Sequence, residues 1–159
     1  MLYTSIMRPM TPERFSHVVG TSGRKAKETY FSRHDIRYVP AVGKLKLGSG
    51  HKMEARIRSL YDAVQEREDE PMCEEILRFY LLGHRPLLAL ALDHLGIEHE
   101  DGLTESEDVS RLASLTAIER AELVALAKDK GVASEEDVML YLAYMSANAA
   151  QEEKAARAG

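Results

Sequence analysis

The sequence has one cysteine, five prolines and little uninterrupted apolar character. One thiol cannot form an internal disulfide, so Cys73 excludes a fold that depends on bridges and an oxidising compartment. The most apolar stretch, residues 76–97, is broken by Arg78, His84, Arg85, Pro86, Asp93 and His94, which excludes a transmembrane helix there. Arg8, Pro9 and Pro12 interrupt the N-terminal residues before a signal-peptide core can form. A cytoplasmic protein with no membrane contact is the expectation.

The chain has 159 residues, 45% of them hydrophobic and 30% charged, which suits one globular domain with an appendage and excludes wholesale disorder. Its net charge of −5 conceals a division. Residues 1–52 carry ten Lys/Arg and three Asp/Glu, a net of +7; residues 53–159 carry eleven and twenty-three, a net of −12. Composition changes at the same place. Five of ten glycines fall between Gly20 and Gly50, whereas fifteen of nineteen leucines and fifteen of nineteen alanines follow Pro71. The expected organisation is a basic, Gly-rich, partly extended arm over 1–51, an acidic helical bundle over 52–150 and a frayed tail over 151–159.

Within the arm, Thr11-Pro12-Glu13 predicts a short helix ending by Gly20. TSGRKAK reads as a loop. From Thr29 to Leu47 the pattern is strand-like around Pro40 and Gly43, so either a basic hairpin or an arm that orders on a partner is expected. The body predicts about five helices, making the fold mainly α. Met53, Ile57, Leu60, Tyr61 and Val64 form one apolar stripe. Pro71 and Pro86 sit at first helical positions of helices closed by Gly83 and Gly96. Thr104 or Ser106 caps a shorter helix. Thr116 with Glu119 fits a capping box, and Ser134 with Asp137 resembles another. Two helix ends echo each other, Gly96-Ile97 and Gly131-Val132, each a glycine that can turn left-handed followed by an apolar residue.

Four constellations bear on chemistry. Residues 127–142 have helix-turn-helix features, but the second helix opens Ser134-Glu135-Glu136-Asp137, and three carboxylates repel phosphates. His84, His94 and His99 lie among carboxylates, yet their spacings of ten and five do not match ligands on one helix face, so no metal or other cofactor is expected. Cys73 beside Glu74 and Glu75 is a poor nucleophile candidate, since adjacent carboxylates oppose thiolate formation. GTSGRK lacks the spacing of a phosphate loop.

The fourth is the arm itself. Arg24, Lys25, Lys27, Arg33, Arg37, Lys44 and Lys46 are interleaved with Tyr30, Phe31 and Tyr38, a composition that suits phosphate contact with base stacking, an acidic protein surface, or the arm's own body. The helices over 76–82, 87–92 and 138–145 are apolar nearly all round, so each is enclosed in its own bundle or covered by another subunit. Val138, Met139, Tyr141, Leu142 and Met145 are the candidate apolar interface. The expected function is that of a non-enzymatic interaction or regulatory protein, binding a protein partner and self-associating through apolar helices and the basic arm. Nucleic-acid binding by the arm is the first alternative, and a small metal-dependent or acid–base enzyme using His94 and His99 the second.

Overall fold

A computed structural model describes residues 2–36 and 49–159, the side chains of 49–52 excepted. Among the described residues the chain is mainly helical and contains no strand. The helices are α1 (Thr4–Met7), α2 (Pro12–Gly20), α3 (Arg24–Arg33), α4 (Ser49–Glu66), α5 (Glu70–Leu82), α6 (Arg85–His94), the 3₁₀ helix η1 (Glu107–Ser114), α7 (Ala117–Asp129) and α8 (Glu135–Ala158). No described helix is long and apolar enough to cross a membrane. The chain forms two compact units, Tyr3–Tyr80 and Leu81–Gly159, so packing divides it within α5, where the sequence suggested a boundary near residue 51.

In the first unit α2 and α3 pack on α4. Phe15, Val18 and Val19 of α2, Tyr30 and Phe31 of α3, and Ile57, Leu60 and Val64 of α4 are buried, as are Met72, Cys73, Ile76, Leu77 and Tyr80 of α5. The first residues are tied down as well. Glu70 accepts the backbone N–H groups of Tyr3 and Thr4 at 2.8 and 3.0 Å, satisfying donors of the first turn that no helical carbonyl reaches. Arg8 Nε donates to the carbonyl of Val64, and Tyr61 Oη donates to that of Met10. Thr11 caps α2 by accepting the N–H of Arg14.

Over residues 24–33 the expected loop and strand give way to helix α3, a correction with a physical cause. Tyr30 and Phe31 are 1 and 0% exposed. Arg56 of α4 lies with its guanidinium 4.2 Å from the Phe31 ring centroid and forks onto Glu28 at 2.7 and 2.8 Å. Burial of the two rings and a long-range ion pair thus outweigh local composition. Residues 37–48, which hold the rest of the expected hairpin, lie outside the described residues.

In the second unit α8 packs on η1 and α7, and α7 on α6. The helix ends follow the sequence closely. Thr116 accepts the N–H of Glu119 while Glu119 accepts that of Thr116, which is the predicted capping box. Ser134 accepts the N–H of Asp137. Gly96 and Gly131 have φ of 68° and 64°. In both, the following apolar residue returns its N–H to a carbonyl five residues back, Ile97 to Leu92 and Val132 to Ala127, each at 2.9 Å. The tail expected to fray continues α8 to Ala158, although all of residues 150–159 are exposed.

Candidate protein interface

The residues expected to bind a partner or nucleic acid are placed unevenly. Arg24 and Lys25 are exposed on α3 and Lys27 is half-buried. Tyr30 and Phe31 lie in the core, so the stacking expected of them is unavailable in this fold. Arg33 donates to Asp69 through Nε at 2.9 Å and Nη2 at 2.5 Å. His34 Nε2 lies 3.0 Å from the same carboxylate, which also caps α5 through the N–H of Met72. Burial alone pushes this carboxyl up, but Arg33, the Met72 N–H and His34 together hold it below its ordinary range. Arg37, Tyr38, Lys44 and Lys46 lie outside the described residues.

The three histidines of the possible metal group go to three different carboxylates. His84 Nε2 is 3.9 Å from Asp137, His94 Nε2 is 3.9 Å from Glu122, and His99 Nε2 is 2.7 Å from Asp93. His99 Nδ1 accepts the N–H of Gly102 at 3.0 Å, so one ring nitrogen is engaged by the loop and the other by Asp93 of α6. Among the described residues no cluster of three His, Cys, Asp or Glu is placed to hold a metal ion. Cys73 is buried, and that burial pushes its thiol up to about 12, far from a reactive thiolate.

Two surface features of the second unit remain. One is an open cleft of about 1060 Å³ along residues 96–108, lined by Glu98, Glu100, Asp101, Glu105 and Asp108, with Arg85 its single Lys or Arg. Its walls are wired by short-range bonds: Glu100 and Leu103 exchange backbone hydrogen bonds, and Thr104 Oγ1 donates to the carbonyl of Glu98 at 2.8 Å. The other is a groove of about 410 Å³ between α7 and α8, floored by Ala117, Ala121, Val124 and Ala125 and edged by Met139. Arg120, Lys128 and Glu135 stand on its rim, with Lys128 Nζ donating to Glu135 at 3.3 Å. Beside it Ile118 is 72% exposed, and Met139 is 43% exposed.

Of the five residues expected to form an apolar interface, Val138, Tyr141 and Leu142 are buried, Met145 is half-buried and only Met139 faces outward. The apolar circumference of α8 is largely consumed in the chain's own core. An open apolar face belongs to α7, which sequence reading passed over; Phe79 of α5 and Leu103 of the acidic cleft are exposed singly elsewhere. Its signal was Ala117, Ala121 and Ala125 at four-residue intervals with Ile118 alongside, a stripe on one helical face. Such a stripe reads as core filling until its neighbours are known.

Among the described residues, fold and surface together define a mainly α-helical chain of two compact units, with an apolar groove along α7 and α8. Compared with protein-family models, curated proteins and solved structures, the chain matches none.

Proposed function

We propose that this chain is a non-enzymatic interaction protein that binds a protein partner and self-associates. The observation that carries the reading is the α7–α8 groove, where Met139 exposes a large apolar side chain beside a floor of alanines and Ile118, next to Ala117 on α7, exposes a second. Covering these two side chains is worth about 1–2 kcal/mol each. The alanine floor lets a partner backbone approach closely. The rim supplies charges of both signs, which select a partner more than they bind it.

Electrostatics adds direction. The acidic cleft over 96–108 and the exposed Arg24 and Lys25 are surfaces of opposite sign on different units, suited to different partner faces. At physiological salt their influence fades beyond about 8 Å, so they act on contact and not as long-range guides. Titratable side chains elsewhere are occupied structurally, as with His99, Asp69 and Cys73, and this favours a binding role over an enzymatic one.

Sedimentation of the full chain from micromolar to near-millimolar concentration tests the reading. A mass rising above 17.8 kDa is expected, with Met139→Asp suppressing the rise while leaving the helical circular dichroism unchanged. A chain that stays monomeric throughout and recovers no partner in a pulldown removes the proposal.

A further inference from the structure

We infer that the occupant of the α7–α8 groove is the C-terminal stretch of α8, residues 148–158, from a second copy of this chain, laid antiparallel to α7. The inference rests on the groove being an interface. Three observations converge on it.

The first is that α8 outruns its own support. Ala147 is its last buried residue, yet the helix continues to Ala158 with every residue from 150 onward exposed. The rest of α8 nucleates this stretch, which stays helical while leaving a side open to solvent. The second is the shape of the extension. At 100° per residue Ala149, Glu152, Ala155 and Ala156 span a face of about 120°, with Glu153 at its edge, about 40° from Ala149, and bonded at 2.6 Å to Arg157 further round. A face of small residues with one carboxylate within it and another at its edge is thus offered by the extension. The groove offers a floor of small residues with cations on its rim.

The third is register. Lys128 lies in line with the alanine floor near the end of α7, and Glu152 is the one charge in the alanine face of the extension. Setting Glu152 against Lys128 in the antiparallel sense places Ala155 opposite Ala125 and Ala156 opposite Val124. In this sense Ala149 falls opposite Gly131, just past Asp129, the last residue of α7, whereas the parallel sense carries both Ala155 and Ala156 past Asp129 and leaves only Ala149 on the floor, opposite Ala125. Antiparallel packing also opposes the two helix dipoles. Alanine against alanine allows the axes to approach to about 8 Å, near the lower limit for packed helices. Lys128 would then be shared between Glu135 of its own chain and Glu152 of the second copy.

Sedimentation and oxidative cross-linking of the full-length chain test this. Wild type is expected to shift toward twice 17.8 kDa with rising concentration. Lys128→Glu and Glu152→Lys should each weaken association about tenfold, and the two together should restore it. The Ala125→Cys/Ala155→Cys double variant should form a covalent dimer under mild oxidant, without interference from buried Cys73. A wild-type chain that remains monomeric overturns the inference. So does an assembly dissolved by Met139→Asp but indifferent to both charge reversals and not cross-linked; in that case the groove remains an interface and its occupant is something else.

Discussion

Arg33 grips Asp69 with two guanidinium nitrogens across thirty-six residues of chain, and the gripped carboxylate is at the same time the cap of α5. Asp69 is 6% exposed at its side chain and Arg33 46%, so one partner is sealed and the other half in water. Removing the sealed partner costs more than removing the wet one, because it deletes the cap as well as the pair. Asp69→Ala is expected to destabilise by about 2–4 kcal/mol in urea unfolding. Asp69→Asn, which keeps an oxygen for the Met72 N–H, should recover about 1 kcal/mol of that.

Acid should reveal the same group. The Asp69 carboxyl is held below its ordinary value of 3.8 in the folded chain, so the unfolded chain takes up the proton first. The stability it contributes is complete above that value and is lost as pH falls beneath it. Unfolding midpoints measured through this range should drop more steeply for wild type than for Asp69→Asn. Parallel curves would mean the carboxylate is not held by its partners.

Alkali acts with the opposite sign. Burial pushes the Cys73 thiol from 9.0, and the Tyr30 and Tyr141 hydroxyls from 10.0, up to about 12 in each case. The stability linked to these groups is complete below the ordinary values and is lost as pH rises toward 12. In a spectrophotometric titration, Tyr30 and Tyr141 should ionise only together with loss of helical signal. Cys73 should react with a thiol reagent at neutral pH only after denaturant is added.

Three glycines with positive φ separate strain from crowding. At Gly96 and Gly131 an added Cβ meets nothing within 4 Å, whereas at Gly102 it would lie 2.7 Å from Leu88 Cβ and 3.0 Å from both Ala89 N and Arg85 O. Gly131→Ala should therefore cost about 1–2 kcal/mol, the left-handed penalty alone. Gly102→Ala adds a collision with the backbone of α6 and should cost about 2–5 kcal/mol. Thermal or urea unfolding of the two variants checks the order.

Arg56→Lys tests what holds α3 on α4. A lysine keeps the charge but loses both the fork onto Glu28 and the planar stack over Phe31. A loss of about 1–2 kcal/mol is expected, read from urea unfolding, with Glu28→Gln affected less because its carboxylate is half in solvent.

The second unit was legible because its helix ends are chemically local. Thr116 and Glu119, Ser134, Gly96-Ile97 and Gly131-Val132 each make their bonds within a few residues, so composition alone places them. Helix α3 was not legible. Its cap is Gly23, which offers no side-chain oxygen, and its adjacent Tyr30 and Phe31 imitate a strand. What decides their conformation is Arg56, twenty-eight residues beyond Glu28. Asp69 was invisible for the same reason. A 3₁₀ helix at η1 stands where a capped helix was expected; of the two expected caps, Thr104 and Ser106, it uses Ser106, and its winding was not predicted. The groove was half legible, since Met139 was singled out but the open side of α7 depends on which helices leave it uncovered.

The contacts that bind the N-terminal residues also set a schedule. Tyr3 and Thr4 wait for Glu70, and Arg14 Nη1 waits for the hydroxyl of Tyr80, sixty-six residues later. At about 5–20 residues per second of synthesis, that delay is about 3–13 s, during which Tyr3, Met7 and Phe15 have emerged and their closing partners have not. The first half of the chain to be made is therefore completed by its middle, and a ribosome stalled before residue 70 would display an unsealed aromatic surface to whatever chaperone is at hand.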